Sequence, residues 1–139
     1  MENKKKKIVV GIPVFVLTAV ITTQLLSKKD IGNELVKMSE EINKNCPVMV
    51  DEATRLDSVS IVDSKSVRYN YSVITINKDS LTVDLKEVKA FLKNNSQNNL
   101  DTIKQMELYR EKKIPLNYHY NDKNGKYLLD FTIVYQKDK

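Results

Sequence analysis

Apolar residues recur along this chain in three patterns: one unbroken run, a helical period near 3.6 and a strand period of two. The unbroken run extends from Ile8 to Leu26 without a charge, between Lys4-Lys5-Lys6-Lys7 and Lys28-Lys29. As a helix it would span roughly 28 Å, close to the thickness of a bilayer core. Beyond it, Ile31, Leu35, Met38 and Ile42 recur at spacings of four, three and four. They predict an amphipathic helix that Asp30 can cap and Pro47 ends. Residues 55–62 read as a strand with Val59 and Ile61 on one face, followed by a turn at 63–66. In residues 67–73, Val67, Tyr69, Tyr71 and Val73 share an apolar face, while Arg68, Asn70 and Ser72 face water. Asp84 opens a second helix with Leu85, Val88, Phe91 and Leu92 on its stripe. The Asn-rich run 94–99 has poor helix propensity and predicts a break or kink. Helix then resumes through Leu100, Ile103, Met106 and Tyr109. Residues 114–120 and 127–136 predict two more strands around a turn at 121–125. The last strand carries Tyr127, Leu129, Phe131, Ile133 and Tyr135 on one face.

The predicted order is a transmembrane helix, then helix–strand–strand–helix–strand–strand. This is an α+β fold with an antiparallel sheet of about four strands and helices on one face. Two units follow: residues 1–29, a basic N-terminus with a transmembrane anchor, and residues 30–139, a single small α+β domain. Each half of that domain holds a Tyr-x-Tyr, Tyr69/Tyr71 and Tyr118/Tyr120, which fits a duplicated unit of low internal identity. A cleaved signal peptide also begins basic and apolar, but it needs a small-x-small site. None follows Val20, so an uncleaved anchor is the preferred reading and cleavage the alternative. The larger Lys excess before the run orients the N-terminus to the cytoplasm and the domain to the periplasm or the exterior.

Charge changes the picture in one respect. The net charge of +5 lies entirely in residues 1–29, with six Lys against one Glu. Residues 30–139 hold 17 basic and 17 acidic side chains. The excess therefore sits at the membrane flanks, where it meets head groups. The domain has no basic field for nucleic acid, and a nucleic-acid partner is not expected. Cys46 is the single cysteine and His119 the single histidine, so no intrachain disulfide forms and no His/Cys cluster has metal-ligand spacing. The three glycines are far apart and make no phosphate loop. No cofactor is expected.

The most distinctive stretch is Cys46-Pro47-Val48-Met49-Val50-Asp51-Glu52-Ala53-Thr54-Arg55-Leu56-Asp57, followed by Val67-Arg68-Tyr69-Asn70-Tyr71. It resembles an uncharacterised family of small bacterial membrane or exported proteins. In that family a helix leads into a (Cys/Leu)-Pro-x-x-Val-Asp-x-x-Thr-Arg-Leu-Asp segment and then a hairpin with a Tyr-x-Tyr strand. The resemblance covers residues 34–75 and, more loosely, the rest of the domain. It implies a class and carries no activity.

Read for chemistry, Asp51 and Thr54 are turn residues that accept backbone N–H bonds, and Arg55 is placed to pair with Asp51 or Asp57. Cys46, Asp51, Thr54, Arg55 and Asp57 thus form a candidate ligand or partner loop, beside the plainer reading of a loop that locks helix to sheet. Cys46 is expected as a core thiol. A nucleophilic pair with His119 would need the two within hydrogen-bond reach. The first expectation for function is a non-catalytic, membrane-anchored extracytoplasmic binding or accessory module for another envelope protein. An envelope enzyme using Cys46 or carboxylates near Asp51 is the second, and a self-assembly module the third. Oligomeric state is left open.

Overall fold

The computed structural model describes residues 31–136. The anchor expected at 1–29 and the cap expected at Asp30 lie outside the described residues. No helix among the described residues is long and apolar enough to cross a membrane.

Helix α1 runs Ile31–Asn43 and buries Leu35, Met38 and Ile42 of the predicted stripe together with Ser39, while Ile31 at its start is only partly buried. A turn carries the chain to Pro47, whose bond to Cys46 is cis. Five strands follow: β1 Val48–Met49, β2 Thr54–Val62, β3 Ser66–Val73, β4 Leu116–Asn121 and β5 Tyr127–Ile133. They form one sheet in the order β1-β2-β3-β4-β5. Between β3 and β4 lie helix α2, Leu85–Thr102, and a short helix α3, Glu107–Glu111. Helix α1 packs on β2 and α2 on β5.

The sheet departs from the expected four antiparallel strands in two ways. First, β1 adds a fifth strand; two residues are too few to show a period. Second, β3 and β4 pair in parallel, from Val67↔Leu116 to Ser72↔Asn121. A parallel neighbour requires the chain to cross over before it returns, and α2 makes that crossing. The helices lie on one face of the sheet. There Leu35, Met38 and Ile42 of α1 join Leu92 and Leu100 of α2, Met106 and Tyr109 in one core with the inward residues of β2 to β5.

The predicted break at 94–99 does not occur. Leu92, Ser96 and Leu100, four residues apart, are buried along a continuous helix. Gln97 Nε2 also donates to the Val134 carbonyl, 3.2 Å away. Packing of one face outweighs the weak propensity of the Asn residues on the others. Asp84 caps the start, its carboxylate accepting from Lys86 N at 2.9 Å. The helix ends at Thr102 rather than resuming to Tyr109, because Ile103 is extended (φ −79°, ψ 131°). Arg110 Nη1 donates to the Leu100 and Ile103 carbonyls, both at 2.8 Å, and so satisfies that end.

Two bulges reset the alternation. One, between Leu56 and Ser58, allows Leu56 and Val59 to be buried together although they lie three apart. The other, opposite Tyr120 and Asn121, turns Tyr127 out to 47% exposure while Leu128, Leu129, Phe131 and Ile133 are buried. The inward position expected for Tyr127 is thereby corrected, and the strand ends at Ile133 rather than 136.

Candidate functional site

The loop from Cys46 to Asp57 is built by its own backbone. Val48 pairs with Leu56 and Met49 with Arg55, so β1 folds back on β2. In the turn between them, Asp51 Oδ1 accepts from Ala53 N and Thr54 N, both at 2.8 Å, and Val50 N donates to the Thr54 carbonyl at 2.9 Å. This is the turn role that an aspartate there predicts. Thr54 departs from expectation. It is fully buried, and its hydroxyl has no hydrogen-bond partner among the described residues.

Arg55 pairs with Asp57, one of the two carboxylates expected: Arg55 Nε and Asp57 Oδ1 are 2.5 Å apart. The other carboxylate oxygen accepts from Ser72 Oγ on β3, also at 2.5 Å. Ser72 is therefore buried and not, as its period suggests, exposed to water. The bulge explains this contact, since Asp57 has no partner in the ladder and its side chain reaches across to β3.

Cys46 lies half-buried against the core, its thiol donating to the Ile42 carbonyl at 3.5 Å. Burial, reinforced by the negative charge of Asp57, pushes the thiol above its ordinary value. A thiol so placed is a weak nucleophile. Tyr118 and Tyr120 point into the core, so His119 between them lies on the opposite face of the sheet. It pairs there with Asn121 (Nε2–Oδ1 3.1 Å), with the Tyr127 ring centroid 5.5 Å from its own. The structure does not bring Cys46 and His119 together.

Among the described residues, the face that carries His119 is polar and uncovered by helix across β2 to β5, with Ser60 and Thr132 exposed and Asn70, His119 and Asp130 partly so. Asn70, His119 and Asp130 lie side by side on successive strands. Arg68 Nε donates to Asn70 Oδ1 at 2.9 Å, and Asn70 Nδ2 to Ser58 Oγ at 3.0 Å. Further along, Asn117 Nδ2 donates to Thr132 Oγ1 at 2.5 Å and Tyr127 OH to Asp130 Oδ1 at 2.6 Å. Such side chains can exchange hydrogen bonds with a polar surface. Among the described residues no three His, Cys, Asp or Glu are grouped to hold a metal.

Two structural residues escaped the sequence reading. Asn43 clamps β2 just beyond the start of β1: its Nδ2 donates to the Val59 carbonyl at 2.9 Å and its Oδ1 accepts from Val59 N at 2.8 Å. Asp122 is fully enclosed and accepts from Lys78 N, Asn124 N and Lys126 N at 2.7–2.8 Å. Those bonds, the one from Lys78 foremost, hold its carboxyl below the usual range. The Asn-Asp-Lys-Asn-Gly turn could have marked Asp122. Nothing local marks Asn43.

No curated protein matches the sequence. Among solved structures, the pilotin EpsS of the Vibrio vulnificus type 2 secretion system is similar in fold, with TM-score 0.58 and 8% identity over 76% of this chain and 89% of that one. The type II secretion system pilotin AspS of Vibrio cholerae is similar too, with TM-score 0.54 and 8% identity over 76% and 90%. Residues 31–129 match the family described as Domain of unknown function (DUF8479), and the protein belongs to that uncharacterised family.

Proposed function

We propose that this protein is a non-catalytic accessory module of the cell envelope. Residues 1–29 tether it to the membrane, its domain lies on the extracytoplasmic side, and it contacts another envelope protein. The observation that carries the reading is the open polar face of a sheet whose other face the helices cover. That face has rows of donors and acceptors, and the one thiol and the one imidazole lie on opposite sides of the sheet. The partner fitted to it is a polar protein surface that exchanges hydrogen bonds with amide, hydroxyl and imidazole groups. Arg55 and Asp57 would stand at the margin of the contact, with Cys46, Asp51 and Thr54 fixing the loop behind them. The apolar run 8–26 and its Lys flanks support the tether. The likeness of the fold to type II secretion pilotins supports an envelope accessory role.

Photo-crosslinking in intact cells tests the contact. A benzophenone side chain at the exposed positions Ser60 or Thr132, or at His119, is expected to give one discrete protein adduct. The same probe at Lys89 or Phe91, on the exposed side of α2, is expected to give none. Adducts from α2 alone would overturn the reading. For the location, Ser60→Cys in a Cys46→Ala background is expected to react with a membrane-impermeant maleimide in intact cells; reaction only after lysis would place the domain inside.

A further inference from the structure

The described chain begins at Ile31, and two lysine-bearing turns gather around that point. Gly32 stands so close to the β2–β3 turn that a Cβ there would lie 3.0 Å from Ser64 Cβ and 3.1 Å from the Ser64 carbonyl oxygen. Val67 N donates to the Pro115 carbonyl at 3.1 Å, which brings the segment after α3 alongside. Ile31, Lys65, Lys112, Lys113, Ile114 and Pro115 line a shallow recess of about 400 Å³. Among the described residues no carboxylate lines it; Asp63, on the β2–β3 turn, and Glu111, at the end of α3, are outside the lining. The non-glycine residues with left-handed φ among the described residues are Asp63 (54°), Ser64 (58°) and Lys113 (51°), and all three flank this recess. Asp63 and Ser64 close the β2–β3 turn and Lys113 closes the end of α3, the places where this conformation ordinarily occurs.

We infer that this end of the domain docks on an anionic phospholipid surface, with Lys65, Lys112 and Lys113 facing the head-group phosphates. The inference rests on the tether proposed above. Residues 30–139 carry no net charge, so three lysines around one recess are a local asymmetry rather than a general basic field. Chain length keeps this end of the domain near the surface: five peptide units separate Leu26 from Ile31, at most about 18 Å even when fully extended. Lys28, Lys29 and Asp30 lie in that interval of the sequence. Each lysine near such a surface raises the docked fraction about fivefold.

The test uses the full chain in vesicles of phosphatidylcholine alone, and of equal parts phosphatidylcholine and phosphatidylglycerol. Flotation reports the tether; hydrogen exchange at residues 63–66 and 112–114 reports docking. The expected result is flotation with both vesicles and slower exchange on the mixed ones only. In Lys65→Gln/Lys112→Gln/Lys113→Gln, with its circular dichroism unchanged, that slowing is expected to vanish while flotation persists; single variants should lose about fivefold of docking each. Failure to float would overturn the tether and the inference together. Flotation with equal exchange on both vesicles would overturn docking and leave the tether standing. Slowing by inorganic phosphate on pure phosphatidylcholine vesicles would show a small-anion site, and would overturn docking on lipid.

Discussion

Cys46 shows how much a single side chain takes from its neighbours. Its thiol is half-buried, bonded to the Ile42 carbonyl, and raised by burial and by Asp57 above its ordinary value. Only the thiolate attacks, so that rise lowers the reactive fraction at neutral pH. Maleimide is therefore expected to label the native protein at neutral pH more slowly than free cysteine, and at the free rate after denaturation. Asp57→Asn removes the repelling charge and is expected to speed native labelling. A native rate equal to that of free cysteine would contradict the placement. The turn role of Asp51 was legible from residue type; Cys46, expected in the core, is only partly buried at its edge, because it follows the last turn of α1. The link from Asp57 to Ser72 was not legible, because it depends on a bulge that shifts the register between two strands.

Helix α2 sets propensity against packing. Asn94 and Asn98 are exposed on it, whereas Leu92, Ser96 and Leu100 are buried. Leu100→Ala is expected to destabilise the domain by about 2–5 kcal/mol, through lost burial and the cavity left behind. Asn94→Ala and Asn98→Ala are each expected to stabilise it by about 0.5 kcal/mol, since they replace poor helix formers without touching the core. Urea unfolding followed by far-ultraviolet circular dichroism measures all three. A Leu100→Ala cost below 1 kcal/mol would mean that packing does not hold the helix through its Asn run. The helix start at Asp84 and the inward place of Leu92 could be read from sequence, but Phe91, expected on the same stripe, is 61% exposed because the buried face runs through Leu92, Ser96 and Leu100. The continuity of the helix could not be read, because the sheet that it packs on is assembled from distant residues.

At the scale of the molecule, the core is unusually phenolic. Tyr69, Tyr71, Tyr109, Tyr118 and Tyr120 are all buried. The parallel register sets Tyr69 beside Tyr118 and Tyr71 beside Tyr120, with ring centroids 5.2 and 5.0 Å apart; Phe131 continues the stack 5.0 Å from Tyr118. Burial raises all five phenols well above their ordinary 10.0. Below pH 10 both folded and unfolded chains keep these protons, and stability is unaffected. Above it the unfolded chain ionises first, so stability falls with rising pH by roughly 1.4 kcal/mol per unit for each buried phenol. Alkaline titration is expected to release the five phenolates in one cooperative step, coincident with loss of the fold. Five phenols ionising singly near pH 10, with the fold intact, would contradict the buried stack.

The sequence by itself determined the local elements and most of their faces. The helix from Ile31 and the Tyr-x-Tyr strands each follow from a periodicity contained within a few turns or a few residues of chain, and the apolar run 8–26 from its unbroken length. The tertiary structure decided which strands meet. The parallel β3–β4 pair, the five-stranded order, the outward turn of Tyr127 and the gathering of Lys65, Lys112 and Lys113 at one end all depend on where α2 delivers the chain after crossing the sheet. A period fixes the face on which a side chain lies. The neighbour that it meets is fixed by burying apolar faces contributed from opposite ends of the chain.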